Sequence, residues 1–147
     1  MKWFLPMGAL MLCSMSVLSQ NKDVMEKRAN AFVEALNSGN RETYRKFIIE
    51  NYTKELINRK MSRKIVGDDA SASSVATEDA LADKLNMFDQ LHQDLGKGKV
   101  SSIKQNGDKL DMLVTGDSGT SLNFGMTFLK DAPNLINAVS VQMTMNR

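Results

Sequence analysis

The apolar residues of this chain change their spacing near Gly98, from the period of a helix to the period of a strand. Before that point they recur every three or four residues, as in amphipathic helices. After it they alternate with polar residues, as in strands with one buried face. Helices gathered ahead of consecutive strands with short connections predict an α+β domain, in which the helices pack on one face of an antiparallel meander sheet.

Four helices are predicted ahead of the strands. Gly39 suits the left-handed position that ends the first helix, and Asn40 can cap the second. Thr77, followed by two acidic residues, is a good start for the last helix, which stops at Gly96. The predicted helices are 22–37, 41–51, 53–63 and 77–95. Residues 67–77 contain almost no large side chains and are predicted to form a flexible loop.

Four strands are predicted after Gly98, at 99–105, 109–115, 120–129 and 135–145. The Asn106-Gly107 pair is a strong signal for the first hairpin turn. Alternation puts one set of apolar side chains on the face expected to pack under the helices: Leu110, Met112, Val114, Leu122, Phe124, Met126, Phe128, Val139, Val141, Met143 and Met145. Asn137 falls on the same apolar side, and the sequence gives no reason for it.

The opposite face of the predicted sheet is unusually poor in charge. Asp111 is the one charge expected among its residues, which are Asp111, Leu113, Thr115, Asn123, Gly125, Thr127, Leu129, Ala138, Ser140, Gln142 and Thr144. A sheet surface exposed to water usually carries lysine and glutamate, so this face is a candidate for a covered interface. An ordinary solvated sheet rich in threonine and asparagine explains the same residues equally well.

Residues 1–19 have the layout of a secretory signal peptide, with a charge at Lys2, an apolar run and small residues before Gln20. The apolar run is about 15 residues long, shorter than the roughly 20 that a spanning helix needs. We therefore expect a signal peptide over 1–19, a single domain over 20–147, no membrane span, and a periplasmic or secreted location. Leu12 is too large for the position before a lipid-attached cysteine, which argues against lipidation of Cys13.

Composition excludes several kinds of chemistry. Cys13 is the only cysteine and would leave with the signal, so the remaining domain can form no disulfide or thiolate metal site. The net charge is +2, and loss of Lys2 lowers it to +1, which gives no general attraction for nucleic acid. One local basic cluster exists: Arg59, Lys60, Arg63 and Lys64. It has among its members none of the aromatic residues that a binder of single-stranded nucleic acid would require. One histidine and scattered carboxylates do not make a zinc site, so no metal or cofactor is expected.

Residues 31–40, 44–52 and 88–96 resemble a small domain attached to bacterial secreted serine hydrolases. That domain is similar to the nuclear-transport-factor-like, or ketosteroid-isomerase-like, superfamily of cystatin-like α+β folds. The resemblance implies helices lying across a curved sheet, a pocket between helices and sheet, and dimers formed through the sheet. The chain has neither Gly-x-Ser-x-Gly nor Ser-x-x-Lys, so the hydrolase activity does not transfer.

The pocket implied by the resemblance has five candidate lining residues: Tyr44, Tyr52, Phe88, His92 and Phe124. His92 is the only histidine, and it lies on the apolar side of the last helix. It could serve as a general base or as a half-buried structural residue, and the structural interpretation is the more common one. Isomerase chemistry in this fold class also needs a carboxylate inside the cavity, and no predicted strand supplies one.

The sequence therefore favours an exported, non-catalytic binding or accessory domain. It would act through a pocket for a small apolar ligand, or through the sheet face, which would contact a client protein or a second copy of the chain. The alternative is a small isomerase or cyclase with His92 as the base and Tyr44 or Tyr52 as the donor.

Overall fold

The computed structural model describes residues 14–59 and 77–144, with side chains described over 21–59 and 80–143. Residues 1–13 of the predicted signal, most of the predicted loop over 67–77, the basic residues beyond Arg59, and Met145 lie outside the described residues. The signal peptide and its boundary stay predictions.

The described chain is an α+β domain, as predicted, with helices packed against a four-stranded antiparallel sheet. The helices are α1 (Ser14–Ser38), α2 (Arg41–Asn51), α3 (Lys54–Asn58) and α4 (Thr77–Leu95). The strands are β1 (Gly98–Asn106), β2 (Lys109–Gly116), β3 (Ser121–Phe128) and β4 (Ile136–Thr144). They lie in the sheet in chain order, so the sheet is the predicted meander.

Local sequence signals explain where two of the helices begin. The Asn40 side chain accepts hydrogen bonds from the backbone of Glu42 at 2.8 Å and Thr43 at 3.3 Å, so it caps α2 as predicted. The Thr53 hydroxyl accepts a hydrogen bond from the Leu56 backbone at 3.1 Å and caps α3. The described part of α1 starts at Ser14, earlier than the predicted residue 22, because Met15, Val17 and Leu18 of the predicted signal are compatible with a helix.

The core lies between the helices and the inner face of β2 and β3. The side chains predicted to point inward from these two strands are all buried. Phe32 of α1 is their central contact, with its ring centroid 5.1 Å from Phe88 and 5.1 Å from Phe124. Burying each such side chain contributes roughly 1.5–3 kcal/mol. Edge-to-face geometry adds about 0.5–1.5 kcal/mol a pair.

The prediction for β4 is right about the face and wrong about the packing. Val139, Val141 and Met143 lie opposite Met126, Phe124 and Leu122 and so share the inner face. Val141 is nevertheless 36% exposed and Met143 61% exposed. The physical reason is helix placement: among the described helices, the five-residue α3 makes the main contact with β4. The described helices therefore leave Val141 and Met143, in the second half of the strand, partly uncovered.

The polar Asn137 on the apolar side is explained by an irregularity in strand pairing. Thr127 lies opposite Ala138, and the next residue, Phe128, lies opposite Ile136, so Asn137 is an extra residue at a bulge. Its side-chain oxygen accepts a hydrogen bond from the Thr53 hydroxyl at 3.1 Å. The buried inward residue at this end of β4 is Ile136.

The first hairpin turn lies one residue later than Asn106-Gly107 predicts. Asn106 pairs with Lys109, so the two loop residues are Gly107 and Asp108. Gly107 has a φ of 62°. Glycine at the first loop position, with a positive φ there alone, is the type II′ arrangement.

The carboxyl end of α4 lies directly against the sheet. A Cβ atom added at Gly116 would lie 2.0 Å from the Leu95 carbonyl oxygen, closer than real contacts allow. Beside this contact, Asn37 of α1 accepts a hydrogen bond from the Gly98 backbone at 2.7 Å and donates one to the Gly98 carbonyl at 2.8 Å. One corner of the domain thus joins α1, α4, β1 and β2.

We expect Gly116→Ala to lower the free energy of unfolding by about 2–3 kcal/mol, because the added methyl group must push α4 away from β2. Gly119→Ala is the matched control: Gly119 has a φ of 84° but open space around its Cβ position. The control should cost only about 1 kcal/mol. Urea unfolding measures both changes, and a Gly116→Ala cost no larger than the control's would contradict the packing described here.

Candidate functional site

The structure brings most of the predicted pocket residues together, inside the core. Tyr44, Phe88 and Phe124 are fully buried, and Tyr52 is 3% exposed. Tyr44 lies 5.0 Å from Phe88 between ring centroids, and Phe32 bridges Phe88 to Phe124. Tyr52 joins the same aromatic cluster through Phe47, at 5.8 Å. The four side chains fill the space between helices and sheet, and their role toward a ligand stays a prediction.

The two tyrosine hydroxyls are the polar groups of this cluster. Both oxygens are buried and have no hydrogen-bond partner among the described residues. Burial raises the pKa of the Tyr52 hydroxyl far above its ordinary value. The pKa of Tyr44 is also raised, first by burial and then by the negative charge of Asp89. Both groups therefore remain protonated at neutral pH and can act only as hydrogen-bond donors or acceptors there.

His92 lies at the edge of the helical layer, against the turn between α1 and α2. A Cβ atom added at Gly39 would lie 3.0 Å from the His92 Nε2 atom, so the imidazole packs on the glycine. Gly39 has a φ of 61°, which permits this tight turn. The His92 Nδ1 atom is buried without a hydrogen-bond partner among the described residues. The ring is half-buried, in contrast to the fully buried Phe88 one turn earlier.

Acidic groups do not gather into a metal site in the described part of the chain. No set of three or more His, Cys, Asp or Glu residues there is placed to hold a metal ion. The described ion pairs connect exposed or half-buried side chains on the helices, such as Arg41 with Asp89 at 3.3 Å. Asp111 is exposed on β2 and lies opposite Lys104 of β1.

A shallow groove lies between α2 and α4, away from the aromatic cluster. Its volume is about 480 Å³, and it is lined by Arg41, Glu42, Arg45, Ala82 and Leu85. Arg41 also donates a hydrogen bond to the Asn86 side chain at 3.0 Å. Its charged lining residues are two arginines and one glutamate, and each arginine already has a carboxylate partner: Arg41 pairs with Asp89 at 3.3 Å, and Arg45 with Glu42 at 4.0 Å.

Lys84 is a buried charged residue that the sequence analysis missed. Its side chain is fully buried on α4, and Nζ donates a hydrogen bond to the backbone carbonyl of Arg59, at the end of α3. Burial lowers the pKa of this ammonium group; Asp83 raises it and Arg59 lowers it further. The available signal was spacing: Lys84 lies midway between Ala80 and Phe88, at four-residue steps along the buried side of α4.

Arg28 is a second missed residue, with a structural role. Its guanidinium donates hydrogen bonds to the Asn51 side chain and, at 2.8 Å, to the Pro133 carbonyl. It therefore links α1, the end of α2 and the connection between β3 and β4. Burial lowers its pKa. Because Arg28 acts over a sequence separation of 105 residues, helical periodicity alone could not reveal this role.

The outer face of the sheet divides into a basic half and an uncharged half. The strand register shows that Lys99, Lys104 and Lys109 point outward with Asp111 on the β1–β2 side. The outer face as a whole therefore carries more than the single charge expected from the sequence. On β3 and β4 the outward residues are Ser121, Asn123, Gly125, Thr127, Ala138, Ser140 and Gln142. None of these seven carries a charge, and the low-charge surface is therefore confined to the β3–β4 half.

Hydroxyl groups connect three strands on this outer face. The Thr115 hydroxyl lies 2.9 Å from that of Ser101 and 3.1 Å from that of Ser121. The Ser140 hydroxyl donates a 3.4 Å hydrogen bond to the Gly125 carbonyl. These groups satisfy part of their hydrogen-bonding capacity within the sheet, which lowers the cost of covering the face with another surface.

Comparisons with known proteins give this geometry no family. No model of a known protein family matches the sequence, and no curated protein matches it either. Within the described residues, no helix combines the length and the apolar character needed to cross a bilayer.

We expect Lys84→Met to be neutral or stabilising at pH 7, because it replaces a buried charge with an apolar side chain of similar length. The lowered pKa means that the unfolded chain holds this proton more tightly than the folded chain does. Wild-type stability should therefore rise relative to Lys84→Met as the pH approaches 10.5, the ordinary lysine value.

Denaturant unfolding of both proteins from neutral to alkaline pH measures this difference. Lys22→Met, at an exposed lysine on α1, is the matched control. The difference in unfolding free energy between wild type and this control should not change over the same pH range. A constant stability difference between wild type and Lys84→Met across that range would contradict a buried, destabilised ammonium group.

Proposed function

We propose that this chain is a non-catalytic binding domain that acts through the uncharged β3–β4 half of its outer sheet face. The observation that carries the proposal is the distribution of charge on that face, with lysines on the β1–β2 side and none on the β3–β4 side. An interface centre is typically depleted of charged residues and surrounded by a polar, charged rim. The β3–β4 half matches that pattern in its lack of charge, with the lysines of the β1–β2 side along one border.

The aromatic cluster, which packs on the inner face of the sheet, supports the same proposal. Its rings are packed against one another at centroid distances of 5.0–6.0 Å. A small apolar ligand would have to displace these contacts to reach the two buried hydroxyls. Binding at the outer face requires no such rearrangement, so we favour it over the pocket predicted from sequence.

The α+β meander is compatible with the nuclear-transport-factor-like fold that the sequence resembles, and we propose that assignment. We also propose that residues 1–19 export the domain to the periplasm or the medium. The partner at the sheet face would then be another exported protein or a second copy of the chain.

The alternative function is a small isomerase or cyclase that uses His92. The unpartnered Nδ1 atom of His92 favours it, since a free ring nitrogen can take up a proton. Packing of the ring on Gly39 places the imidazole in an interhelical turn, and the described acidic residues form no catalytic pair with it. We therefore rank the enzyme second.

Photo-crosslinking in the cells that produce the protein tests the outer-face function. Thr127, Asn123 and, as a control, the exposed Glu50 on α2 are replaced one at a time by a photo-crosslinking amino acid. We expect illumination to give a discrete adduct from positions 127 and 123 and none from position 50. An adduct of twice the chain mass identifies a second copy, and any other mass identifies a client protein. The absence of adducts at both sheet positions would contradict the proposal.

A further inference from the structure

β4 is an edge strand, and its edge that faces away from β3 is paired over only part of its length. Tyr52 forms a parallel bridge with Ile136, and the Thr53 backbone donates a 2.9 Å hydrogen bond to the Ile136 carbonyl. With the Thr53–Asn137 side-chain contact, these interactions cover the start of the strand. Beyond Asn137, no described residue pairs with this edge of β4. We call residues 138–144 the free edge.

The free edge lacks the features by which proteins usually protect an edge strand from pairing. Its sequence, Ala-Val-Ser-Val-Gln-Met-Thr, contains no charge, no proline and no glycine. The opposite edge strand, β1, contains Lys99 and Lys104 and has a register irregularity between Val100 and Ser102. Both features discourage edge-to-edge pairing. Within the described residues, the sheet is therefore protected at the β1 edge and unpaired along residues 138–144 at the β4 edge.

Exposed apolar side chains lie along the same free edge. Val141 and Met143 occupy its inner face, and they are among the few large apolar side chains exposed in the described chain. Their strand neighbours on β3, Phe124 and Leu122, are buried. Among the residues that the structure describes, the free edge thus combines unpaired backbone groups with the exposed apolar side chains of Val141 and Met143.

We propose that the free edge pairs with the free edge of a second copy, antiparallel about a two-fold axis near Val141. Val141 is the midpoint of residues 138–144, so this register pairs the two free edges over their full length. Identical strands satisfy each other's backbone groups in an antiparallel pair about a two-fold axis. Because the segment is uncharged, no like charges meet. Two four-stranded sheets become one of eight strands, with Met143 beside Val139 of the second copy.

This proposal is independent of the outer-face function, since it concerns the edge of the sheet. A second copy fits the edge better than an unrelated strand does, because this register places the exposed apolar side chains beside one another: Val141 beside Val141, and Met143 beside Val139. The two uncharged outer faces would lie side by side in the paired sheet, giving a partner a surface of twice the width.

A charge-exchange experiment at Val141 tests the edge pairing. The full chain, its Val141→Lys and Val141→Glu variants, and an equimolar mixture of the two variants are measured by size-exclusion chromatography with light scattering. We expect a dimer for the wild type, monomers for each variant alone, and a dimer again for the mixture. Restoration follows because opposite charges then meet at the axis where like charges repelled.

Two controls distinguish pairing through the edge from pairing through the outer face and from loss of folding. Thr127→Lys changes the outer face on β3 and should leave the dimer intact. Thermal unfolding of each variant verifies folding, and Met143→Lys, at a position that is already 61% exposed, provides a second disruption of the edge. A monomeric wild type at high micromolar concentration overturns the proposal. A dimer lost in Thr127→Lys but retained in Val141→Lys also overturns it, because the dimer then forms through the face.

Discussion

The close approach of α4 to the sheet at Gly116 is the constraint on which the rest of the structure depends. The Leu95 carbonyl occupies the position that a side chain at residue 116 would need. This contact fixes the end of α4 on β2, and Asn37 fixes the end of α1 on the first residue of β1. With both helices anchored at this corner, the Phe32 ring packs against both Phe88 and Phe124 at the centre of the core.

The same anchoring determines which part of the sheet the described helices leave uncovered. α1 packs on β1 and β2, while Tyr52 and Thr53, just ahead of α3, bind the start of β4 at Ile136. Half of β4 therefore lies beyond the described helices, with Val141 and Met143 exposed. The charges follow the opposite distribution, with lysines on β1 and an uncharged surface on β3 and β4. We propose that this division assigns roles to the two halves of the sheet: the β1 side faces solvent, and the β4 side contacts other proteins.

Local signals in the sequence predicted the fold well, and contacts distant in sequence account for the errors. Capping by Asn40, the end of α4 before Gly96 and the inward faces of β2 and β3 all follow from neighbouring residues. The exposure of Met143 depends on the short reach of α3, and the position of Asn137 depends on a bulge against β3. Lys84 was missed because its burial is made possible by a carbonyl 25 residues earlier. For the candidate site, the sequence named Tyr44, Tyr52, Phe88 and Phe124 as pocket residues, and the structure packs them in an aromatic cluster whose other members, Phe32 and Phe47, were not named. Helical spacing could not show that His92 packs on Gly39.

Hydrogen–deuterium exchange at low and high protein concentration tests the central claim most directly, since it reports which backbone amides become protected on association. We predict that peptides covering residues 138–144 gain protection as the concentration rises, while peptides of α2 and α4 exchange at unchanged rates. Concentration-dependent protection confined to α2 and α4, with none in β3 or β4, would contradict the assignment of binding to this half of the sheet.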